Sequence, residues 1–223
     1  MTAPIDVVEV WTVPVRRSPE SERMLASVLD VQEKTRLARM DDDAVRARFI
    51  AVHGAARFIL AARLAVRPAD IRWRIGPHGK PEIAGGPRVS LSHSGDGALV
   101  AVAERPVGVD IERIRARWNV RPPTRLFPAA EARVVAGAEP GRRAATFVRL
   151  HVRKEACVKA SGTTMLPYGV RLPALGAAPL TMRFGGECWR VHDLSAAPGY
   201  GAAVAVRGAD DFVVRTRTLD NLE

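Results

Sequence analysis

Residues 106–114 read PVGVDIERI, a run in which β-branched residues alternate with others in the pattern of a strand. A period of two places Asp110 and Glu112 on the same face, roughly 6.6 Å apart along the strand, and the apolar side chains on the opposite face. A buried carboxylate is costly unless a positive group or a ligand compensates for the lost water. An edge strand with a solvated acidic face fits the same pattern, so the stretch raises the question of what its two acids face.

The chain as a whole has the composition of a globular protein. It contains 223 residues, of which 47% are hydrophobic. No apolar run approaches the roughly 20 residues that cross a bilayer, and the acids Asp6 and Glu9 are atypical of a signal peptide. The two cysteines, Cys157 and Cys188, offer neither a disulfide framework nor the spacing of metal ligands. We therefore expect a cytoplasmic protein with no membrane partner.

The net charge of +10 predicts an anionic partner. Nucleic acid, an anionic membrane surface, a phosphorylated small molecule and an acidic protein all satisfy that requirement. Aromatic residues make up only 5% of the chain, which is few for a single-strand stacking platform, and no helix-turn-helix, zinc-finger or ribonucleoprotein motif is present. Only four of the 34 basic residues are lysines, namely Lys34, Lys80, Lys154 and Lys159. Positions that keep lysine are candidates for sites that need a compact ammonium group.

Hydrophobic periodicity predicts the same sequence of elements twice. The first half has a helix over about residues 42–66, followed by strand-like pieces at 71–75, 88–92 and 98–103, the last two joined as a hairpin by HSGDG. The second half has a helix over about 142–161, ended by Gly162, and strand-like pieces at 181–184, 187–191, 200–206 and 211–217. A proline-rich joint at 121–128 separates the halves.

This repetition predicts an α+β fold that is a pseudo-dimer of two similar α/β lobes. We assign residues 1–106 to the N-terminal lobe and residues 107–223 to the C-terminal lobe, and we expect the active site in the cleft between them.

The second predicted helix carries charged residues at helical spacing. In FVRLHVRKEACVKASG, residues 147–162, His151, Glu155 and Lys159 follow each other every four residues and so share one face. A solvated Glu–Lys pair worth about 0.3–0.5 kcal/mol is the simplest explanation. The helix is apolar around most of its circumference, however, which leaves little room for a solvated face. We therefore predict that Glu155 and Lys159 point into an occupied cleft.

Three carboxylates can then converge, since Glu155 lies on the helix and Asp110 and Glu112 lie on the strand. Oxygen ligands of this kind suit Mg²⁺, which bridges protein carboxylates and substrate phosphates. Lys80, in the turn GPHGKPEI at residues 76–83, suits a phosphate contact, although an ordinary exposed turn lysine fits as well.

Ser92 and His93 do not form a nucleophile–base pair with each other, because adjacent strand residues point to opposite faces. A hydrogen bond to phosphate is the better role for His93, with a structural histidine as the alternative.

Five motifs occur in a fixed order along the chain: GPHGKP, SLSHSGDGALVAVA, PVGVDIERI, LFPAAE and RKEACVKASG. Together they resemble the Sfp-type 4'-phosphopantetheinyl transferases, over about residues 33–206. The family's fold is a pseudo-dimer of two α+β lobes with coenzyme A bound between them, which agrees with the duplication expected above.

The resemblance implies a role for each matching residue. It implies that Asp110, Glu112 and Glu155 hold Mg²⁺, and that Glu155, Lys159 and Asp110 are the catalytic residues. Its implied coenzyme A contacts are Lys159 with the pyrophosphate, Lys80 and His93 with phosphates, Ser92 with the nucleotide, and Arg48 with the 3'-phosphate. The sequence departs from the family at His151, where an aromatic residue is usual, and at residues 39–43, RMDDD, where some members are basic.

The activity implied by the resemblance is transfer of the 4'-phosphopantetheine arm of coenzyme A to a serine of an apo acyl or peptidyl carrier protein, with release of 3',5'-ADP. The resemblance implies that the enzyme is a monomer that acts in fatty acid, polyketide or nonribosomal peptide biosynthesis. It implies no nucleic-acid partner. One alternative is a Mg²⁺-dependent nuclease. Such an enzyme would need a Glu-x-Lys on a strand that follows its Asp, whereas Glu155 and Lys159 are four residues apart on a predicted helix. The other is a non-catalytic nucleic-acid-binding module, which leaves three acids facing a polyanion unexplained.

Overall fold

The computed structural model describes residues 6–115, 127–163 and 174–219. The strands within these ranges are β1 (Asp6–Thr12), β2 (Arg74–Ile75), β3 (Pro81–Glu82), β4 (Arg88–Ser94), β5 (Gly97–Ala103), β6 (Val107–Arg113), β7 (Leu180–Phe184), β8 (Glu187–Leu194), β9 (Tyr200–Arg207) and β10 (Phe212–Thr218). The helices are α1 (Pro19–Ser27), α2 (Val31–Leu37), α3 (Asp43–Leu64), α4 (Ala129–Gly137) and α5 (Arg143–Ser161), with one turn of 3-10 helix at Pro68–Asp70. No described helix is long and apolar enough to cross a lipid bilayer.

The first four-stranded sheet has the order β10-β1-β5-β4, and helix α3 packs against it. Asp42 begins α3 by accepting a hydrogen bond from the N–H of Val45 at 2.9 Å. The helix ends at Ala65, whose φ of 54° leaves the helical region. Its buried face, which includes Ala55 and Leu60, packs on Val100 of the sheet. The apolar periodicity of residues 42–66 thus correctly indicated a helix that covers a sheet.

The second four-stranded sheet has the order β6-β9-β8-β7, is antiparallel throughout, and is covered by α5. Helix α5 lies so close to β6 that a Cβ atom on Gly108 would lie 2.0 Å from the carbonyl oxygen of Ala156. Only glycine allows this approach. It brings the acids of β6 and the polar residues of α5 to the same place.

An apolar cluster joins the two sheets to each other. Val10 and Ala101 of the first sheet pack with Val109 and Val204 of the second, and all four side chains are at most 1% exposed. This packing sets the edge strands β4 and β6 side by side, and the polar site lies along that junction.

The structure confirms a mixed α/β architecture of sheets and helices. The helix predicted over 142–161 is α5, whereas the strand predicted over 71–75 shortens to Arg74–Ile75, which pairs only with Pro81–Glu82. Most of the proline-rich joint at 121–128 lies outside the described residues.

The topology differs from the predicted lobe division at the last strand. Strand β10 belongs by sequence to the second half, yet it pairs in parallel with β1 in the first sheet. Parallel pairing needs no local turn, so the chain can place its two ends side by side. The pseudo-dimer and its boundary at residues 106 and 107 stay predictions.

Candidate active site

Five of the polar residues singled out above line one cleft of about 310 Å³. Strand β4 contributes Ser92 and His93 to its lining, strand β6 contributes Asp110 and Glu112, and helix α5 contributes Lys159. The opposite wall comes from the α2–α3 region and the loop after it, through Glu33, His53 and Trp73. The cleft therefore draws on both sheets.

Asp110 is the most deeply buried acid of the site, with 3% of the residue exposed. Its Oδ1 accepts hydrogen bonds from Lys159 Nζ at 2.6 Å and from Ser92 Oγ at 2.9 Å. Its Oδ2 is buried and has no hydrogen-bond partner among the described residues. Since buried polar atoms are nearly always paired, this oxygen is a candidate contact for a ligand.

Glu155 lies within electrostatic reach of the two acids on β6. Burial raises the pKa of Glu155, and the charges of Asp110 and, more weakly, Glu112 act in the same direction, while His151 and Lys159 oppose them. The two acids of β6 thus act on Glu155 of the helix, and the convergence of the three carboxylates on one cation stays a prediction. Mutual repulsion of this kind is relieved by a proton or by a cation.

His93 lines the cleft, and the positive charges of Arg48 and Lys159 lie within electrostatic reach of its ring. Loss of surrounding water lowers the pKa of His93, and the neighbouring charges of Arg48 and Lys159 lower it further. The structure therefore brings these three predicted coenzyme A contacts close together, although Arg48 comes from α3 and Lys159 from α5. A cluster of this composition can bind phosphate groups.

Lys80 is placed differently from the other predicted contacts. Its Nζ donates hydrogen bonds to the backbone carbonyl oxygens of Lys159 at 2.6 Å, Ala160 at 2.9 Å and Val107 at 3.1 Å. These bonds cap the carboxyl end of α5 and tie it to the start of β6. An ammonium group has three N–H donors, so a phosphate contact would need one of these bonds to open. That contact stays a prediction.

His151 lies one helical turn before Glu155, with its Nε2 4.0 Å from Glu155 Oε1. Its ring stacks on Phe147 with 5.7 Å between ring centroids. Its Nδ1 is buried and finds no hydrogen-bond partner in the described part of the chain. The ring therefore keeps the stacking function of an aromatic residue and adds a polar edge beside Glu155.

Lys154, also part of the α5 motif, points away from the cleft. It forms an ion pair of 2.6 Å with Glu131 of α4, and both side chains are almost completely buried. This pair fixes α4 against α5.

Sequence reasoning missed two groups of residues near the site. Ser90 and Ser94 lie beside Ser92 on β4 and contact β6, and the available signal was the repeat S-x-S-x-S in RVSLSHS. Glu33 is a buried residue in the wall of the cleft and is bonded to Arg57, for which the only local signal was a capping box beginning at Asp30.

The donor set has the chemistry of a site for a hard divalent cation. As the side chains lie here, the described ranges contain no group of three or more His, Cys, Asp or Glu residues that could hold a metal ion. The unpartnered Asp110 Oδ2 and the raised pKa of Glu155 nevertheless fit such an ion, because a cation would supply the missing partner and relieve the repulsion.

In the comparisons with known proteins, the chain is similar to 4'-phosphopantetheinyl transferases. The family model described as the 4'-phosphopantetheinyl transferase superfamily matches residues 106–192, the range that holds β6 and α5. The chain is 28% identical over 211 residues to the 4'-phosphopantetheinyl transferase HetI of Nostoc sp., covering 91% of this chain and 89% of that protein. It is 28% identical over 198 residues to a 4'-phosphopantetheinyl transferase of Bacillus subtilis, covering 86% and 87%. It is 32% identical over 158 residues to the 4'-phosphopantetheinyl transferase psf-1 of Bacillus pumilus, covering 68% and 67%.

Proposed function

Because the chain belongs to the 4'-phosphopantetheinyl transferase superfamily, we propose that it moves the 4'-phosphopantetheine arm of coenzyme A onto a serine of an apo acyl or peptidyl carrier protein and releases 3',5'-ADP. The observation that carries this proposal is the ion pair of Asp110 with Lys159 in one cleft, within electrostatic reach of Glu155, with one oxygen of Asp110 lacking a partner among the described residues. Neither the nuclease nor the nucleic-acid-binding alternative has a comparable match.

The cation of the proposed enzyme is Mg²⁺, held by Asp110, Glu112 and Glu155. When bound, Mg²⁺ would neutralise negative charge on the pyrophosphate and on the leaving group. The support is the carboxylate donor set and the unpaired Asp110 Oδ2, since Mg²⁺ prefers oxygen ligands and leaves positions for substrate phosphates.

Coenzyme A would bind beside the cluster of His93, Arg48 and Lys159. His93 and Arg48, whose charges act on each other, would contact its phosphates, and Lys159 would contact the pyrophosphate. Ser92 would contact the nucleotide, within the limits set by the bonds that its hydroxyl already makes. Charge-assisted hydrogen bonds from Arg48 and Lys159 to phosphate are shorter and stronger than neutral ones.

The chemical step requires removal of a proton from the carrier serine. The serine oxygen forms a bond to the phosphorus that carries the pantetheine arm, and the bond from that phosphorus to the 3',5'-ADP oxygen breaks. Glu155 is the proposed proton acceptor, because its carboxylate lies within electrostatic reach of Asp110 and Lys159. A positioned carboxylate can act as a general base.

The carrier protein would be attracted by the charge of the chain. Carrier proteins are typically acidic, whereas this chain has a net charge of +10. Charge complementarity of this kind mainly raises the rate of encounter, so we expect transfer to slow as salt concentration increases.

The test is to mix the protein with coenzyme A, MgCl₂ and an apo carrier protein and to follow the intact mass of the carrier. We expect the mass to increase by one phosphopantetheine group. Excess EDTA and the Asp110→Asn substitution should each suppress the increase, the substitution by about 10²–10³-fold in rate. An unchanged carrier mass with several apo carriers would refute the transfer, and an Asp110→Asn variant as fast as the wild type would refute the cation assignment.

A further inference from the structure

The edge strands β4 and β6 are joined by side chains instead of a backbone ladder. Strand β4 ends the first sheet and strand β6 ends the second. The hydroxyl oxygens of three serines on β4 accept hydrogen bonds from backbone N–H groups of β6: Ser90 from Val109 at 3.0 Å, Ser92 from Ile111 at 3.2 Å, and Ser94 from Arg113 at 3.1 Å. We call these residues the serine ladder.

The spacing of the serine ladder follows from strand geometry. Residues two apart on β4 share a face, and the N–H groups of residues two apart on β6 point to the same edge. An edge strand leaves such N–H groups without partners, and a hydroxyl supplies an acceptor where backbone pairing is absent. Lys80 completes the same edge by donating to the carbonyl oxygen of Val107.

Each serine hydroxyl also keeps one hydrogen to donate, and two of the three give it to a carboxylate. Ser92 Oγ donates to Asp110 Oδ1 at 2.9 Å, and Ser94 Oγ donates to Glu112 Oε2 at 2.6 Å. Each of these serines therefore holds both a backbone N–H of β6 and the acid that immediately precedes it. Two contacts from one hydroxyl restrict the side-chain rotation of that acid.

Ser90 differs from Ser94 in what stands opposite to it, and it is more deeply buried. The residue before Val109 is Gly108, which has no side chain, and Ser90 Oγ contacts no carboxylate in the described ranges. Ser90 thus bonds to the β6 backbone as Ser94 does, without an acid to orient, and it is an internal control for the loss of that backbone contact.

We propose that Ser92 and Ser94 are positioning residues that orient the carboxylates of Asp110 and Glu112 toward a divalent cation. This inference rests on the proposed function, because it concerns the cation of that same site. Groups that hydrogen-bond to metal-ligating carboxylates fix their orientation, and their loss typically weakens metal affinity by 10–100-fold. Ser94 gives the clearer test, since Ser92 is also a proposed nucleotide contact.

The experiment compares the wild type with Ser94→Ala, Ser94→Thr and Ser90→Ala, using Mn²⁺ as the probe. Binding of Mn²⁺ is followed by electron paramagnetic resonance in the presence of coenzyme A, and melting temperatures are measured in parallel. We expect Ser94→Ala to weaken Mn²⁺ binding by about 10-fold and Ser94→Thr to restore most of it. Ser90→Ala should keep an affinity close to that of the wild type while its melting temperature falls by as much as that of Ser94→Ala.

A general structural role predicts a different result, because both alanine variants lose the same kind of backbone contact. Equal Mn²⁺ affinities of Ser94→Ala and Ser90→Ala would overturn the positioning role, and so would a wild type that binds no Mn²⁺. The carrier mass assay is a separate readout. A wild type that fails to load carriers refutes the transfer reaction, whereas weaker Mn²⁺ binding by Ser94→Ala than by Ser90→Ala still supports the positioning role.

Discussion

Two groups of acids lie in and beside the same cleft, and they differ in their hydrogen-bond partners. We call Glu33 with Asp30, His53, Arg57 and Trp73 the structural cluster, and Asp110 with Glu112 and Glu155 the site cluster. In the structural cluster, Glu33 accepts from Arg57 Nε at 2.6 Å and Trp73 Nε1 at 3.0 Å, with His53 Nδ1 2.9 Å away and the N–H of Asp30 at 3.0 Å. Both of its oxygens therefore have two partners. In the site cluster of Asp110, Glu112 and Glu155, one oxygen of Asp110 has none among the described residues.

The pKa values of Glu33 and Glu155 are shifted in opposite directions. Burial alone would raise the pKa of Glu33, but the hydrogen bonds from His53 and Asp30 and the charges of His53 and Arg57 hold it below its usual range. Burial raises the pKa of Glu155, and the strongest charged influence on it is another acid, Asp110. The structural cluster thus stabilises the fold with its charge, whereas the site cluster carries charge that is unfavourable until a ligand compensates for it.

The largest expected effect comes from Glu155→Gln. We expect carrier loading to slow by about 10²–10³-fold, because the substitution removes both a proposed proton acceptor and a proposed cation ligand. The melting temperature in EDTA at neutral pH should stay the same or rise. A carboxyl with a raised pKa in the folded state disfavours folding when it is ionised, so a neutral amide removes that cost.

Single-turnover loading followed by mass spectrometry gives the rate of this variant, and calorimetry gives its melting temperature. Below pH 4.5, where the unfolded carboxyl is also protonated, the difference in melting temperature should vanish. A variant that loads carriers at the wild-type rate would remove Glu155 from the mechanism.

Local periodicity predicted which residues of the site cluster share a face, but it predicted nothing about the structural cluster. A period of two predicted that Asp110 and Glu112 share one face of a strand, and a spacing of four predicted that Glu155 and Lys159 share one face of a helix. The partner of Glu33 is Arg57, 24 residues away, and the acceptors of Lys80 lie 79 and 80 residues away. Such pairs depend on how helices and sheets pack against each other, and the periodicity of the sequence does not indicate this packing.

The pairing of β1 with β10 was missed for the same reason. These strands come from the two ends of the chain, and neither has a turn signal that points to the other. The predicted strand over 71–75 shortened because it has only the two residues Pro81–Glu82 to pair with.

The second expected effect tests the structural cluster through Glu33→Gln. Arg57 is completely buried and pairs with two carboxylates, Glu33 and Asp30, so the substitution leaves Asp30 as its one charged partner among the described residues. We expect the free energy of unfolding in urea to fall by about 2 kcal/mol, the loss of a buried hydrogen bond between charged groups. Glu139→Gln is the matched control, because Glu139 pairs with Arg142 at 3.7 Å on the surface, with 80% of its side chain exposed, and it should change stability by less than about 1 kcal/mol.

The pH dependence identifies the charge of Glu33 as the cause. An acid whose folded pKa is lowered stabilises the fold above its unfolded pKa of 4.5, and this stabilisation is lost as the pH falls through the lowered value. The difference between the wild type and Glu33→Gln should therefore shrink steadily below pH 4.5. A difference that stays constant down to pH 2 would show that packing, and not charge, makes Glu33 important.

The smallest expected effect decides to which of the two groups Lys80 belongs. Its three carbonyl acceptors make it resemble the structural cluster, in which every polar atom has a partner. Lys80→Met keeps the length of the side chain and removes the donors, so we expect a loss of about 1–2 kcal/mol in unfolding free energy. The KM for coenzyme A should change little at a temperature where the variant is folded. The predicted phosphate contact requires the reverse result, in which the KM for coenzyme A rises about 10-fold or more and the stability stays nearly intact. A lysine whose charge binds a ligand contributes little to the stability of the ligand-free protein.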